Sequence, residues 1–247
     1  MNSQSPKFSV VIPAYNEEKL LPRLLESIAV ARANYSGGAD AIEVIVADND
    51  STDGTAAIAA LQRARVVTIT KRRIAAARNG GALAAKGEIL CFIDADSAIH
   101  PLTFAAIEAA IAEGGTVAGA TGIQLERRSL GLVFTYSLAM TVGWLMRIDT
   151  GVIFCRREDF EAIGGYDETL MYAEDLAFLL AMRRLGRTRG QRLGRVRGVK
   201  ALGSTRKFDQ FGDWHLFWMM AVGIKSLLTW NWNDKKFADR YWYKSGR

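Results

Sequence analysis

A chain of 247 residues with 49% hydrophobic composition can bury one large α/β core and is too short for several, so a single domain is expected. Its formal charge of +6 and pI near 9.4 favour anionic partners, among them a nucleotide diphosphate, an acidic membrane surface or nucleic acid. Cys91 and Cys155 lie in apolar runs and point to buried reduced thiols, and Met1 to Lys7 carries no apolar stretch of the secretory kind, so the expected location is cytoplasmic.

Phe8 to Ile12 is a β-branched run closed by Pro13, and from Glu17 to Arg32 the residues Leu20, Leu21, Leu24, Leu25 and Ile28 recur at helical spacing. The strand and helix unit repeats as Ile42 to Ala47 with a helix from Asp53, then Val66 to Ile69 with a helix from Ile74, then the strand Ile89 to Ile93. This alternation implies an α/β fold with a mostly parallel sheet flanked by helices. Ligands of such sheets bind beyond the carboxyl ends of the strands, so the turns after Ile12, Ala47 and Ile93 should line one crevice. From about Gln124 the pattern is less regular.

The first turn, Pro13-Ala14-Tyr15-Asn16-Glu17-Glu18, lacks the glycine-rich fingerprint that brings a pyrophosphate to a helix amino terminus. A carboxylate there repels phosphate but accepts hydrogen bonds from a ribose or a base, so Glu17 points to a nucleoside; helix capping by Asn16 is the competing reading. In the second turn, Asp48 to Thr55, one of Ser51, Thr52 or Asp53 suits a helix cap, whereas Asp48 has no capping duty and is the candidate for reading a base edge. In the third, residues i and i+2 of an extended segment share a side, so Asp94 and Asp96 can converge on Mg2+ or Mn2+, which take carboxylate oxygens together with substrate phosphates and water.

These motifs, with Ala77-Arg78-Asn79 between them and Gly164-Gly165-Tyr166-Asp167-Glu168 and Ala173-Glu174-Asp175-Leu176 after them, resemble in order and spacing the successive motifs of family 2 glycosyltransferases. The resemblance covers roughly Phe8 to Gly186. It implies a GT-A fold, a UDP- or GDP-sugar donor, a divalent cation (Mg2+ or Mn2+) and transfer to an acceptor hydroxyl with inversion. Carried across residue by residue, it puts Pro13, Tyr15, Glu17, Asp48, Arg78, Asp94, Ala95 and Asp96 at the donor, with Asp94 and Asp96 also at the metal. Arg78 is left open between Asp48, the base and a phosphate. Gly165, Tyr166 and Glu174 fall to the acceptor side, and Asp175 to the general base. A diphosphate leaving group stabilised by a cation needs no general acid, so a single base from the second half of the chain meets the chemical requirement.

The chain departs from the family pattern at several points. Asn49 stands where an Asp-Asp-Gly turn is common, which leaves uracil and guanine both open, and Lys71-Arg72-Arg73 replaces an Asn-containing turn, as a phosphate contact or a solvated basic face. No Gln-x-x-Arg-Trp motif follows Asp175, which favours transfer of a single sugar. Ser204-Thr205-Arg206-Lys207 offers instead a cationic flap over the diphosphate, with Arg206 the preferred residue, and His215 is a further candidate for the cation's shell. The missing Gly-x-Gly-x-Arg loop argues against a sugar nucleotidyltransferase. Strand-end carboxylates repel a polyanion, which argues against a nucleic-acid adaptor.

Residues 1–207 are assigned to the GT-A domain, with a donor half to about 123 and an acceptor half from about 124; 208–247 form a basic tail carrying Trp214, Trp218, Trp230, Trp232 and Trp242. Leu130 to Met146 has no charged residue and, at about 1.5 Å per residue, is near or below spanning length, so a buried or interfacial helix is expected. The tail suits the headgroup layer of an anionic membrane or a helix packed back on the sheet by aromatic anchors, and the acid-free stretch Arg183 to Lys207 suits the phosphates of a lipid-linked acceptor or an anionic lipid surface.

Overall fold

A computed structural model describes residues 5–127, 129–134, 137, 141, 143, 148–196 and 198–214. The strands are β1 (Phe8–Ala14), β2 (Ile42–Asp48), β3 (Arg65–Thr68), β4 (Ile89–Phe92), β5 (Thr116–Ala120), β6 (Ile123–Leu125), β7 (Ile153–Arg156), β8 (Arg192–Arg195) and β9 (Ala201–Gly203). The main sheet has the order β3-β2-β1-β4-β7-β5-β8, while β6 and β9 pair separately. Pairing is parallel from β3 through β4 and between β5 and β8; β7 runs antiparallel to both its neighbours.

Chain order reverses at β1, which lies between β2 and β4, and this switch point is where a parallel sheet opens a ligand crevice. Pro13 helps to open it. It has no N–H to give to a neighbouring strand, and the β1–β4 register stops at Val11–Phe92 while the β1–β2 register continues to Ala14–Asp48.

Alternation along the strands builds two cores. Phe8, Val10, Ile12 and Cys91 face the helices α1 (Leu21–Ala33) and α4 (Thr103–Ala112), meeting Leu21, Leu24, Ile28, Phe104 and Ile107. Val11, Leu90, Phe92 and Cys155 face α3 (Ile74–Ala84), α5 (Arg157–Ala162) and α6 (Glu174–Thr188), meeting Phe160, Tyr166, Phe178 and Met182. Each fully buried Leu or Phe contributes about 1.5–3 kcal/mol of transfer free energy. Cys91 and Cys155 are free thiols on opposite faces of the sheet, and burial pushes both thiols upward, which keeps them protonated.

Two helices start later than their apolar spacing indicates. α1 begins at Leu21 because Leu20 and Leu21 both donate their backbone N–H to the Glu17 carbonyl, at 3.1 and 2.9 Å, which closes a tight turn before Pro22 enters the first helical turn. α2 (Thr55–Leu61) begins after Asp53, whose Oδ1 accepts the Thr55 N–H at 3.0 Å. Between Leu130 and Met146 the described positions 130–134, 137, 141 and 143 are helical, with Leu132 buried and Leu130, Val133 and Phe134 exposed. Among the described residues no helix is long and apolar enough to cross a membrane.

Candidate active site

The first two turns are laced together. Asn16, in the left-handed region at φ 52°, donates its N–H to Ser51 Oγ and accepts the Thr52 N–H on Oδ1; Glu17 N–H goes to Thr55 Oγ1 and Glu18 N–H to Asp53 Oδ2. Asn16 therefore braces the second turn, and α1 has no side-chain cap. Asp48 is buried and does carry a turn duty, accepting the Ser51 N–H at 3.3 Å. Tyr15 lies at the mouth with the Arg72 guanidinium over its ring at 4.9 Å, and Arg72 also pairs with Asp50 at 3.2 Å. Lys71 pairs with Glu168 at 2.5 Å, so both cations are half-exposed members of surface ion pairs.

Asn49 explains its own departure from the family pattern. Its buried side-chain amide donates to the carbonyls of Ile69 and Lys71 at 2.9 and 2.8 Å, fastening the second turn to the chain after β3. A carboxylate there would set oxygen against oxygen. Asn49→Asp is expected to lower stability at neutral pH by about 2–4 kcal/mol, the cost of two lost buried hydrogen bonds with their acceptors unsatisfied, read as a lower urea midpoint at unchanged slope.

In the third turn Ala95 packs into the core while Asp94 and Asp96 remain at the crevice. The two carboxylates are engaged by different arginines: Asp94 Oδ1 takes Arg78 Nη2 at 2.9 Å, and Asp96 Oδ2 lies 3.4 Å from Arg206 Nη2. Among the described residues no group of three or more His, Cys, Asp or Glu side chains is placed to hold a metal ion, and His215 lies outside the described residues. Two carboxylates, with Asp94 53% exposed along its side chain, still fit a small divalent cation that takes its remaining ligands from a diphosphate and water.

Arg78 is the hub of the site. Its side chain is only 3% exposed, yet it reaches Glu174 at 2.7 Å, Asp94 at 2.9 Å and Asp175 at 2.9 and 3.1 Å, and lies over the Tyr166 ring at 5.1 Å. It does not pair with Asp48, because α3 directs it across the crevice to the start of α6. Asn79 makes a second crossing: its amide donates to the Tyr166 carbonyl and to Glu168, and its oxygen accepts the Tyr166 N–H, all at 2.8–2.9 Å. Gly165 sits against this brace at φ 77°, where a Cβ would come within 2.7 Å of Asn79 Oδ1. Tyr166 stacks on Phe178 with centroids 4.2 Å apart, so the hub rests on the aromatic core.

Asp175 stands in the first turn of α6, after Ala173 in the left-handed conformation at φ 60°. Desolvation raises its carboxyl from the ordinary aspartate range to about 7; Arg78 pulls it back, and Glu174 and Asp94 push it further up. Its side chain keeps 34% of its surface open, and Arg78 approaches both of its oxygens, Oδ1 at 2.9 Å and Oδ2 at 3.1 Å. A partly open carboxylate with a raised pKa suits proton abstraction from a bound hydroxyl.

Other expected contributors lie apart. Along α6, Arg187 sits about 18 Å from Asp175. Arg189 and Arg195 are tied to Asp159 and Asp149, and Arg197 is outside the described residues. Trp144, Trp218, Trp230, Trp232 and Trp242 also lie outside them; Trp214 is exposed. A cleft of about 220 Å³ lined by Lys7, Glu88, Glu108 and Arg156 opens at the amino end of β4, the opposite end of the sheet from these carboxylates. The roles of Asn49, Asn79, Lys71 and Glu168 were not evident from sequence; a buried asparagine beside a strand end is the one local signal.

The family model described as glycosyl transferase family 2 matches residues 9–162, more than half of the chain. Validoxylamine A glucosyltransferase of Streptomyces hygroscopicus subsp. limoneus is 37% identical over 98 residues, covering 37% of this chain and 21% of that protein. Dolichyl-phosphate beta-glucosyltransferase of Drosophila melanogaster is 35% identical over 107 residues, covering 39% of this chain and 33% of that protein, so the match spans well under half of either relative. Among solved structures, mannosyltransferase PcManGT from Pyrobaculum calidifontis in complex with GDP-Man and Mn2+ shares the fold with TM-score 0.63 at 22% identity, over 81% of this chain and 57% of that one. With the matched region spanning the donor turns, Arg78 and the Asp94-Ala95-Asp96 turn, the chain belongs to the family 2 glycosyltransferases.

Proposed function

We propose that the protein transfers a single sugar from a UDP- or GDP-sugar to an acceptor hydroxyl, with inversion and with Asp175 as the base. The observation that carries this is Arg78, which joins a strand-end carboxylate of the donor side, Asp94, to Glu174 and Asp175 across one crevice. In this reading Pro13, Tyr15, Glu17 and Asp48 hold the nucleoside, Asp94 and Asp96 hold a Mg2+ or Mn2+ ion, and Arg206 holds the diphosphate. The cation, when bound, stabilises the charge that develops on the leaving diphosphate. Gly165, Tyr166 and Glu174 shape the acceptor side.

The acceptor O–H donates its proton to Asp175 as its oxygen attacks the anomeric carbon. The bond from that carbon to the diphosphate oxygen breaks on the opposite face, and the nucleoside diphosphate leaves with the electron pair. Attack opposite the leaving group inverts the anomeric centre. Arg78 keeps Asp175 aimed and partly neutralised, and Asn79 fixes the Tyr166 segment beside it.

A screen of UDP- and GDP-sugars for nucleoside diphosphate release, with Mg2+ and with Mn2+, tests the reading. One donor is expected to turn over only with a cation, and Asp96→Asn should weaken its cation-dependent binding by about tenfold or more, as loss of one charged ligand does. Release of pyrophosphate from a nucleoside triphosphate instead, or no binding of any such donor, would overturn it.

A further inference from the structure

Glu17, the carboxylate assigned to the nucleoside, already has an occupant. Arg206 Nη1 and Nη2 fork onto its two oxygens at 2.9 and 3.0 Å across 189 residues of sequence, and Nη2 lies 3.4 Å from Asp96 Oδ2. Glu17 is buried, and its backbone N–H is held by Thr55 Oγ1 at 2.8 Å, so the carboxylate sits on a fixed root inside the crevice. Arg206 is the movable partner. It opens the short helix α7 (Arg206–Phe211), and the chain before it is pinned by the β6–β9 pairing and by the Ala98–Leu202 bridge. The guanidinium is thus held at the crevice on a long side chain from a fixed root.

We propose that Arg206 is a specificity-determining residue that makes this site select a nucleoside diphosphate over a nucleoside, by surrendering Glu17 only in exchange for the diphosphate. The inference rests on the donor reading above and deepens it. A nucleoside alone supplies hydroxyls to Glu17 but leaves the guanidinium with only its longer 3.4 Å approach to Asp96, and giving up a part-buried, bidentate pair without an equal replacement is unfavourable. A nucleoside diphosphate supplies both halves of the exchange: ribose or base groups take over Glu17, and phosphate oxygens accept the same two-pronged donation from Arg206. The pair therefore penalises ligands that lack the diphosphate, beyond any contact the diphosphate itself makes.

The test is calorimetric titration of the whole chain, at one fixed Mg2+ concentration, with uridine and UDP and in parallel with guanosine and GDP. For Arg206→Gln the nucleoside is expected to bind about tenfold tighter and the diphosphate about tenfold weaker, so the preference contracts by about a hundredfold. Opposite signs are the signature. A nucleoside affinity that is unchanged or falls along with that of the diphosphate would overturn the proposal and leave Arg206 a plain phosphate contact or a structural residue. Arg206→Lys, which keeps the charge and loses the fork, covers the case in which the Gln variant melts early; it should tighten the nucleoside while nearly keeping the diphosphate, and failure to tighten the nucleoside counts against the exchange. If the unaltered protein binds neither UDP nor GDP, the donor reading itself fails and takes this inference with it.

Discussion

Asp175→Asn is expected to abolish sugar transfer, by at least about a thousandfold, with donor affinity within a few-fold of the unaltered protein, as loss of the proposed general base from an otherwise intact site predicts. The asparagine keeps the shape and the contact with Arg78, which retains Asp94 and Glu174, so the donor turns should not be disturbed. Single-turnover transfer measured beside donor titration separates the two effects. Transfer at the normal rate would remove Asp175 from the mechanism; equal losses in transfer and donor binding would make it a structural residue.

As the proposed base, the same carboxyl is expected to set a pH dependence whose sign follows from that role. A base acts only when ionised, and desolvation has moved Asp175 to about 7. The ascending limb of kcat/KM is therefore expected near pH 7, falling about tenfold per unit below it, since kcat/KM reports the free enzyme. An aspartate at its ordinary value would put that limb near pH 4. A profile flat from pH 5 to 8 would show that no group with a midpoint near 7 is required in its ionised form.

How much of this was legible in the sequence follows from where the determining forces are local. Phe8 to Ala14 and Ile42 to Asp48 are β-branched runs whose burial on both faces announces a central parallel strand, and the carboxylates at their ends follow from the strand-end rule. The apolar period starts a helix up to four residues early because Leu20 fits it, yet Glu17 to Leu20 are folded into a turn by the Glu17 carbonyl. The antiparallel insertion of β7 between β4 and β5 depends on pairings such as Leu90 with Cys155, which no local pattern encodes.

For the site, the acids were legible and their partners were not. Arg78 lies 96 residues from Glu174 and Arg206 lies 189 from Glu17, so only the folded sheet brings them together. Convergence of Asp94 and Asp96 was read from strand geometry alone, which contains no arginine; in the fold each carboxylate is engaged by a different one. Asn49 looked like a weakened acid motif because its amide partners, the Ile69 and Lys71 carbonyls, belong to another connection.

Replacing Arg78 by methionine should have the largest effect on stability, because it keeps the bulk and removes the one cation that three carboxylates share. Glu174 is buried and has no solvent to turn to, and loss of one partner from a buried ion pair costs about 3–5 kcal/mol. At about 2–4 °C per kcal/mol for a chain of this size, the melting temperature is expected to fall by roughly 10 °C. Adding Glu174→Gln to Arg78→Met should recover part of the loss, because the stranded charge goes with it; strict additivity of the two changes would show that the pair is not coupled. Activity carries an independent sign. Arg78 lowers the Asp175 carboxyl against desolvation, so its removal raises that carboxyl further, and whatever transfer remains should need a more alkaline solution than the unaltered protein. An ascending limb that stays near pH 7 in the Arg78→Met protein would mean that the guanidinium does not act on the base, leaving Arg78 a brace between two halves of the sheet.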